Sequence, residues 1–174
     1  DFLRERSLTF TLATNNSTRT SQEYVEKLAR MGVSISPSEV LNSGQATARF
    51  LADEYPKGTR VHVFGMPSFK KAITDEGFVL ADEDVQLVVA SMDREITYEK
   101  LKCATLLLRG GARFIATNLD PTYPCEEGLG PGTGSLIASL ETSSGVKAQA
   151  IGKPEPTMYQ MAMQKMHANP ETTA

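Results

Sequence analysis

Short apolar runs alternate along the chain with segments whose apolar residues recur at helical spacing, and each change of period carries a turn or cap signal. Residues 7–14 (SLTFTLAT) read as a strand that stops at the turn-favouring pair Asn15-Asn16. Thr20 with Glu23 forms a capping box, and Tyr24, Val25, Leu28 and Ala29 continue a helix over 21–31 that Gly32 ends. Ser36-Pro37-Ser38-Glu39 repeats the start signal and predicts a short helix, followed by an apolar face of Ala46, Ala48, Phe50 and Leu51. After the turn cluster Tyr55-Pro56-Lys57-Gly58, strands are expected at 61–64, 86–90 and 113–116, with helices at 68–73 and 97–108 between them. Residues 117–132 hold three prolines and three glycines without apolar periodicity, which predicts a long loop. A helix from Gly132 to Gly145, a strand over 148–151, a helix over 157–166 and a break at Asn169-Pro170 complete the pattern, which is α/β.

Composition adds exclusions. The 174 residues are 40% hydrophobic and 22% charged, which is ordinary for a folded domain and argues against disorder. Lys+Arg number 18 against 21 Asp+Glu, a net charge of −3, so no basic excess recommends nucleic acid or a membrane surface as partner. The longest apolar stretches, such as 10–13 and 87–90, are far short of the roughly 20 residues of a membrane span. The charged start, Asp1 to Arg6, lacks the apolar run of a secretory signal and favours the cytoplasm. Cys103 and Cys125 stand alone, without a CxxC pair or neighbouring His, and predict two reduced, neutral thiols rather than a zinc site or a disulfide.

In open parallel sheets ligands sit beyond the carboxyl ends of strands, which singles out Thr14-Asn15-Asn16-Ser17-Thr18-Arg19 and Gly152-Lys153-Pro154. A Thr14 hydroxyl, loop N–H groups and the Lys153 ammonium suit phosphate oxygens; the plain alternative is a capped turn and a solvated lysine. Gly128 to Gly134 fails the spacing of a dinucleotide loop and reads as a turn feeding a helix. Asp82-Glu83-Asp84 reads as a solvated acidic turn and Asp93-Arg94-Glu95 as a surface turn or, equally, as a segment near the hinge or substrate side of a cap, while Met158, Met161, Met163 and Met166 read as packing on a helix. His62 and His167 have no acidic, Cys or Ser partner at meaningful spacing and read as structural or solvent-facing.

Four motifs in order, Ala13-Thr14-Asn15-Asn16-Ser17-Thr18-Arg19-Thr20, Ala116-Thr117-Asn118-Leu119-Asp120-Pro121, Pro131-Gly132-Thr133-Gly134-Ser135 and Gly152-Lys153-Pro154-Glu155-Pro156, resemble the haloacid dehalogenase superfamily, in its NagD-like and para-nitrophenyl phosphatase branch. The resemblance runs from about residue 7 to the end. It implies a Rossmann-like core, here residues 1–57 and 148–174, interrupted by an inserted α/β cap of residues 58–147. It makes Thr14 and Lys153 catalytic and phosphate-binding, with Asn15 and Asn16 beside them, and puts Asn118, Asp120 and Tyr123 on the loop that selects the leaving group. The implied reaction is magnesium-dependent hydrolysis of a small phosphorylated metabolite through a phosphoaspartate, with caps pairing as a homodimer.

The chain departs from that pattern in two places. The family's Asp-x-Asp nucleophile does not precede residue 7, and no metal-binding aspartate follows Lys153, so no metal ligand is assigned within these residues and the chain is expected to be an internal segment. The alternative reading is a non-catalytic phosphate-binding or oligomerising module.

Overall fold

Successive side chains of a strand face opposite ways, so the nearly unbroken apolar runs of the central strands need helices on both sides. In the computed structural model, which describes residues 2–173, β3 (Arg60–Phe64), β5 (Leu87–Ala90) and β6 (Arg113–Ala116) are parallel neighbours. Their sheet is closed at its edges by β4 (Val79–Leu80) and β9 (Gln149–Ala150), in the order β4-β3-β5-β6-β9. The register aligns Val63, Val89 and Ile115 in one row. On that face Val61, Val63, Leu87, Val89 and Ile115 pack with Leu51 of α3 (Ser43–Glu54), Phe69 and Ile73 of α4 (Pro67–Asp75) and Met158 of α7 (Pro156–Lys165). The other face sets Phe64, Val88, Ala90, Phe114 and Ala116 against Ala104 and Leu108 of α5 (Tyr98–Arg109) and Ile137 and Leu140 of α6 (Thr133–Ser144). Burial of each such Leu, Ile or Phe contributes about 1.5–3 kcal/mol, and the outcome is a three-layer α/β architecture.

A smaller parallel pair, β1 (Leu12–Thr14) with β2 (Val40–Asn42), brings Thr14 opposite Asn42. Helix α2 (Ser21–Ala29) connects them and opens with the expected Thr20–Glu23 capping box. Asn42 in turn caps α3, accepting the Gln45 N–H at 2.8 Å, while its own amide donates to the Arg19 carbonyl at 3.1 Å. The loop after β1 is thereby tied to the start of α3. A short helix α1 (Phe2–Glu5) precedes this pair. Phe2, Leu8, Leu12, Met31 and Val33 are exposed apolar residues in the same region. No helix among the described residues is long and apolar enough to cross a membrane.

Four expectations are corrected. The strand at 7–14 is shortened to Leu12–Thr14. Ser36 caps only a 3₁₀ turn, Pro37–Glu39, because the backbone extends at once into β2, whose three residues are all buried. Residues 117–132 are not one loop: β7 (Thr122–Cys125) and β8 (Gly128–Pro131) form an antiparallel hairpin in which the Tyr123 ring lies over Gly130. Asp93 is buried rather than on a surface turn, its carboxylate accepting the Lys100 ammonium at 2.9 Å and the Glu95 N–H at 2.8 Å.

The C-terminal end of α6 is joined to β9 by Glu141, which accepts the Lys147 ammonium at 2.7 Å and the Ala148 N–H at 3.0 Å. The Lys147 and Ala148 hydrogen bonds hold its carboxyl below the ordinary value of 4.5. A carboxyl with a lowered folded pKa contributes stability that is present above its unfolded value and lost as pH falls through the folded one. Acid titration of the parent and Glu141→Gln is therefore expected to show a smaller loss of unfolding free energy below about pH 4.5 for the variant; equal slopes would refute the coupling.

Candidate functional site

The carboxyl ends of β1, β3, β5, β6 and β9 are followed by the loops starting at Asn15, Gly65, Ser91, Thr117 and Ile151. Asn15 joins three of the chain's separate parts. Its Oδ1 accepts the Lys153 N–H at 2.9 Å, and its Nδ2 donates at 2.8 Å to the Lys153 carbonyl and at 2.8 Å to Asp120 Oδ2. The Asn15 carbonyl accepts the Ser43 hydroxyl at 2.6 Å. The side chain that sequence reading gave to phosphate is thus committed to positioning: it brings the loop after β9 and the loop after β6 to the end of β1.

Lys153 completes this convergence. Its ammonium donates to the Ala13 carbonyl at 3.0 Å, one residue before Thr14. Thr14 Oγ1 accepts the Asn16 N–H at 3.2 Å, and Asn16 Oδ1 accepts both the N–H and the hydroxyl of Thr18 at 2.9 and 2.7 Å. Tyr24 donates to the Asn16 carbonyl at 3.1 Å, and burial pushes its hydroxyl pKa up, partly offset by a hydrogen bond to Thr14. Thr14, Asn15, Asn16 and Lys153, distant in sequence, are therefore assembled at one strand end.

The loop after β6 is built as firmly. Asn118 is buried and donates to Asp120 Oδ2 at 2.9 Å, while the Thr117 hydroxyl donates to Asn118 Oδ1 at 2.9 Å. The amino end of α6 fixes the next residues: the Gly134 N–H reaches the Asp120 carbonyl at 2.8 Å and the Gly132 N–H the Pro121 carbonyl at 2.8 Å. A Cβ at either glycine would collide with the backbone of residues 119–122, so only glycine permits this approach.

A cavity of about 520 Å³ lies in front of these elements, lined by Thr14, Asn15, Asn16, Asn118, Asp120 and Tyr123 together with Lys27 and Arg94. The Arg94 guanidinium stands over the Tyr123 ring, 5.5 Å from its centroid, in cation–π geometry. Lys27 escaped the sequence reading, whereas Arg94 belongs to the run 93–95 for which a substrate-side place is the alternative; its position just after β5, at the ligand-binding end of the sheet, is the signal. Lys27 and Arg94 in its wall favour an anion, while Lys153, held at the end of β1, is not itself one of its lining residues.

Among the described residues Asp120 is the one carboxylate lining this cavity, and its Oδ2 already accepts two amide N–H groups. Magnesium takes oxygen ligands in near-octahedral array and is usually held through one or two carboxylates. A lone, engaged carboxylate among cationic side chains does not fit that ion.

For His62 the expected lack of an acidic or Cys partner is corrected, while its structural placement is consistent with its burial. His62 is buried and its Nδ1 lies 2.8 Å from Asp82 Oδ1, with Cys103 beside them. Its partners are 20 and 41 residues away, beyond any local spacing rule.

Similarity to known proteins agrees with this architecture. The family model described as haloacid dehalogenase-like hydrolase matches residues 1–79. An acid sugar phosphatase of Staphylococcus aureus is 41% identical over 165 residues, 94% of this chain; the chain spans 63% of that curated relative's length. A solved thermostable NPPase of Geobacillus stearothermophilus superposes with a TM-score of 0.93 at 36% identity, covering 97% of this chain and 68% of that one. A glycerol phosphate phosphatase of Mycobacterium tuberculosis, solved in complex with magnesium, has a TM-score of 0.88 at 29% identity over 94% of this chain and 51% of its own. An α/β sheet of this topology, matched over two thirds of an NPPase at that identity, means that the chain belongs to the haloacid dehalogenase-like hydrolases, in their NagD-like branch.

Proposed function

We propose that this chain supplies the phosphate-binding core and the lid of a phosphatase that hydrolyses small phosphate monoesters. Residues 1–57 and 148–174 form the core on this reading, and residues 58–147 the cap, whose sheet β9 completes. The carrying observation is the meeting of the Lys153 ammonium with the end of β1, 3.0 Å from the Ala13 carbonyl and beside Thr14. A phosphate dianion needs a cation and several N–H or O–H donors in a partly desolvated corner. Lys153 offers the charge, Thr14 the hydroxyl, and the loop after β1 the backbone N–H groups. Asn15 serves as the clamp that positions Lys153.

Asn118, Asp120 and Tyr123 face the cavity that Thr14 and Asn15 line, from the loop and hairpin after β6, where a leaving group would emerge. Tyr123 offers a ring and hydroxyl, Asp120 an acceptor for sugar or polyol hydroxyls. The substrates named for the relatives, a sugar phosphate, a nitrophenyl phosphate and a glycerol phosphate, fit a site that holds phosphate tightly and the remainder loosely.

Asp120 is not assigned as nucleophile, since its Oδ2 is held by two amides. In the phosphoaspartate route the attacking carboxylate and the magnesium ligands then belong to residues beyond these 174. A polypeptide extended at both ends is expected to hydrolyse para-nitrophenyl phosphate with magnesium and to lose about 10²–10³ in kcat on Lys153→Ala, the usual consequence of removing a charge-stabilising donor. The 174-residue chain alone is expected to show no turnover. Turnover by the short chain that vanishes with Lys153→Ala would place the nucleophile within it and overturn the assignment.

The lack of a second carboxylate in the cavity among the described residues favours one other reading, a phosphate-binding or oligomerising module without catalysis. An extended chain that binds orthophosphate but leaves the ester intact would select it.

A further inference from the structure

On the sheet face opposite α3, α4 and α7, one buried strand position breaks the apolar pattern. His62 shares the orientation of Phe64 in β3 and therefore points toward α5, where Cys103 sits one residue before the buried Ala104. Asp82, in the turn after β4, comes over the sheet edge to meet it. An imidazole nitrogen of His62, a carboxylate oxygen of Asp82 and Cys103 Sγ all lie within 4.8 Å of one another. They open on a cavity of about 280 Å³ that shares no lining residue with the phosphate cavity.

We propose that His62, Asp82 and Cys103 form a binding site for a borderline-soft divalent cation of the zinc type. One nitrogen, one oxygen and one sulfur are the donor set such an ion selects, whereas magnesium and calcium require oxygen. Tetrahedral coordination at about 2.0–2.3 Å puts ligand atoms about 3.3–3.6 Å apart, so side-chain shifts of about 1 Å convert the observed cluster into a coordination shell. Three protein ligands leave a fourth position for water in the cavity.

Charge balance supports the assignment. Ionised Asp82 and a Cys103 thiolate offset the two charges of the ion, with His62 neutral. Binding expels the thiol proton to solvent, and the imidazole proton moves to whichever ring nitrogen does not ligate. Of the lysines lining the cavity, Lys100 is already matched by the Asp93 carboxylate and the Glu95 carbonyl, which leaves Lys70 as the opposing cation there among the described residues. Burial, and then the Asp82 charge, push the Cys103 thiol pKa up, so a proton competes with the metal and affinity rises with pH. A bound ion would fasten β3, the turn after β4 and α5 together.

The test uses the 174-residue chain carrying Cys125→Ser, so that one thiol remains. Titration with cobalt(II) is expected to give a saturable thiolate-to-cobalt charge-transfer band in the near ultraviolet, which zinc then displaces. Cys103→Ser abolishes the band. Asp82→Ala, at a side chain 83% exposed that also pairs with the buried His62, weakens cobalt binding about tenfold or more and removes the rise in Tm that zinc gives the parent, each protein being compared with its own metal-free state. No band in the parent, a band that survives Cys103→Ser, or unchanged affinity in Asp82→Ala would each overturn the site.

Discussion

Gly152→Ala is expected to lower the stability of the protein by about 2–4 kcal/mol, the upper range for overpacking a rigid contact. Gly152 follows β9 and its N–H donates to the Thr117 carbonyl at 2.8 Å, which carries the sheet one step beyond its last paired residue. A Cβ on Gly152 would run into that same carbonyl oxygen and come within 2.7 Å of Asn15 Oδ1, a side chain held at both ends of its amide. Neither neighbour is the free end of a flexible side chain, so relief requires moving the backbone of β9 away from β6 or breaking the Asn15 clamp. Urea unfolding of the two proteins measures the loss. A change below about 0.5 kcal/mol, the scale of an unconstrained surface substitution, would mean that the junction is looser than its geometry. Because the clamp positions Lys153, the variant is also expected to bind orthophosphate more weakly even where it remains folded.

Lys153→Ala is expected to weaken orthophosphate binding by the 174-residue chain by about tenfold to a hundredfold, the worth of one charge-assisted hydrogen bond of about 1.5–3 kcal/mol. The side chain is only partly buried and its resting partner is a single carbonyl, so the substitution is expected to leave the fold nearly intact. The effect should also fall with added salt, as a contact between an ammonium and an anion does when screened. Calorimetric or nuclear-resonance titration of phosphate at two ionic strengths measures both quantities. Equal affinity for parent and variant would separate Lys153 from the anion site.

Capping signals were legible because their chemistry is local: Thr20 with Glu23 and the Gly132 and Gly145 boundaries of α6 fall where side-chain reach and backbone conformation put them. The central strands were legible because burial on both faces leaves continuous apolar runs. β2 was lost because its three residues directly follow a cap signal that favours helix, and only pairing with β1 extends them. The β7–β8 hairpin was lost because proline and glycine dominate it; it is held by the Tyr123 ring over Gly130 and by the hydrogen bonds to α6. At the site, Thr14 and Lys153 were legible as strand-end residues suited to phosphate, and the resemblance to a family weighed that reading over a capped turn and a solvated lysine. The use of the Asn15 amide as a clamp, the burial of Asp93 and the pairing of His62 with Asp82 depend on contacts 138, 7 and 20 residues apart in sequence. No periodicity records such distances.

The central claim is that a hydroxyl and an ammonium from opposite ends of the chain grip one anion. A double-mutant cycle of Thr14→Ala and Lys153→Ala, read as orthophosphate affinity in the 174-residue chain, tests it most directly. The expected result is that each single change weakens binding and that the pair departs from additivity by more than about 0.5 kcal/mol, as groups sharing a ligand do. Phosphate affinity unaltered by either substitution, or two losses that simply add, would contradict it.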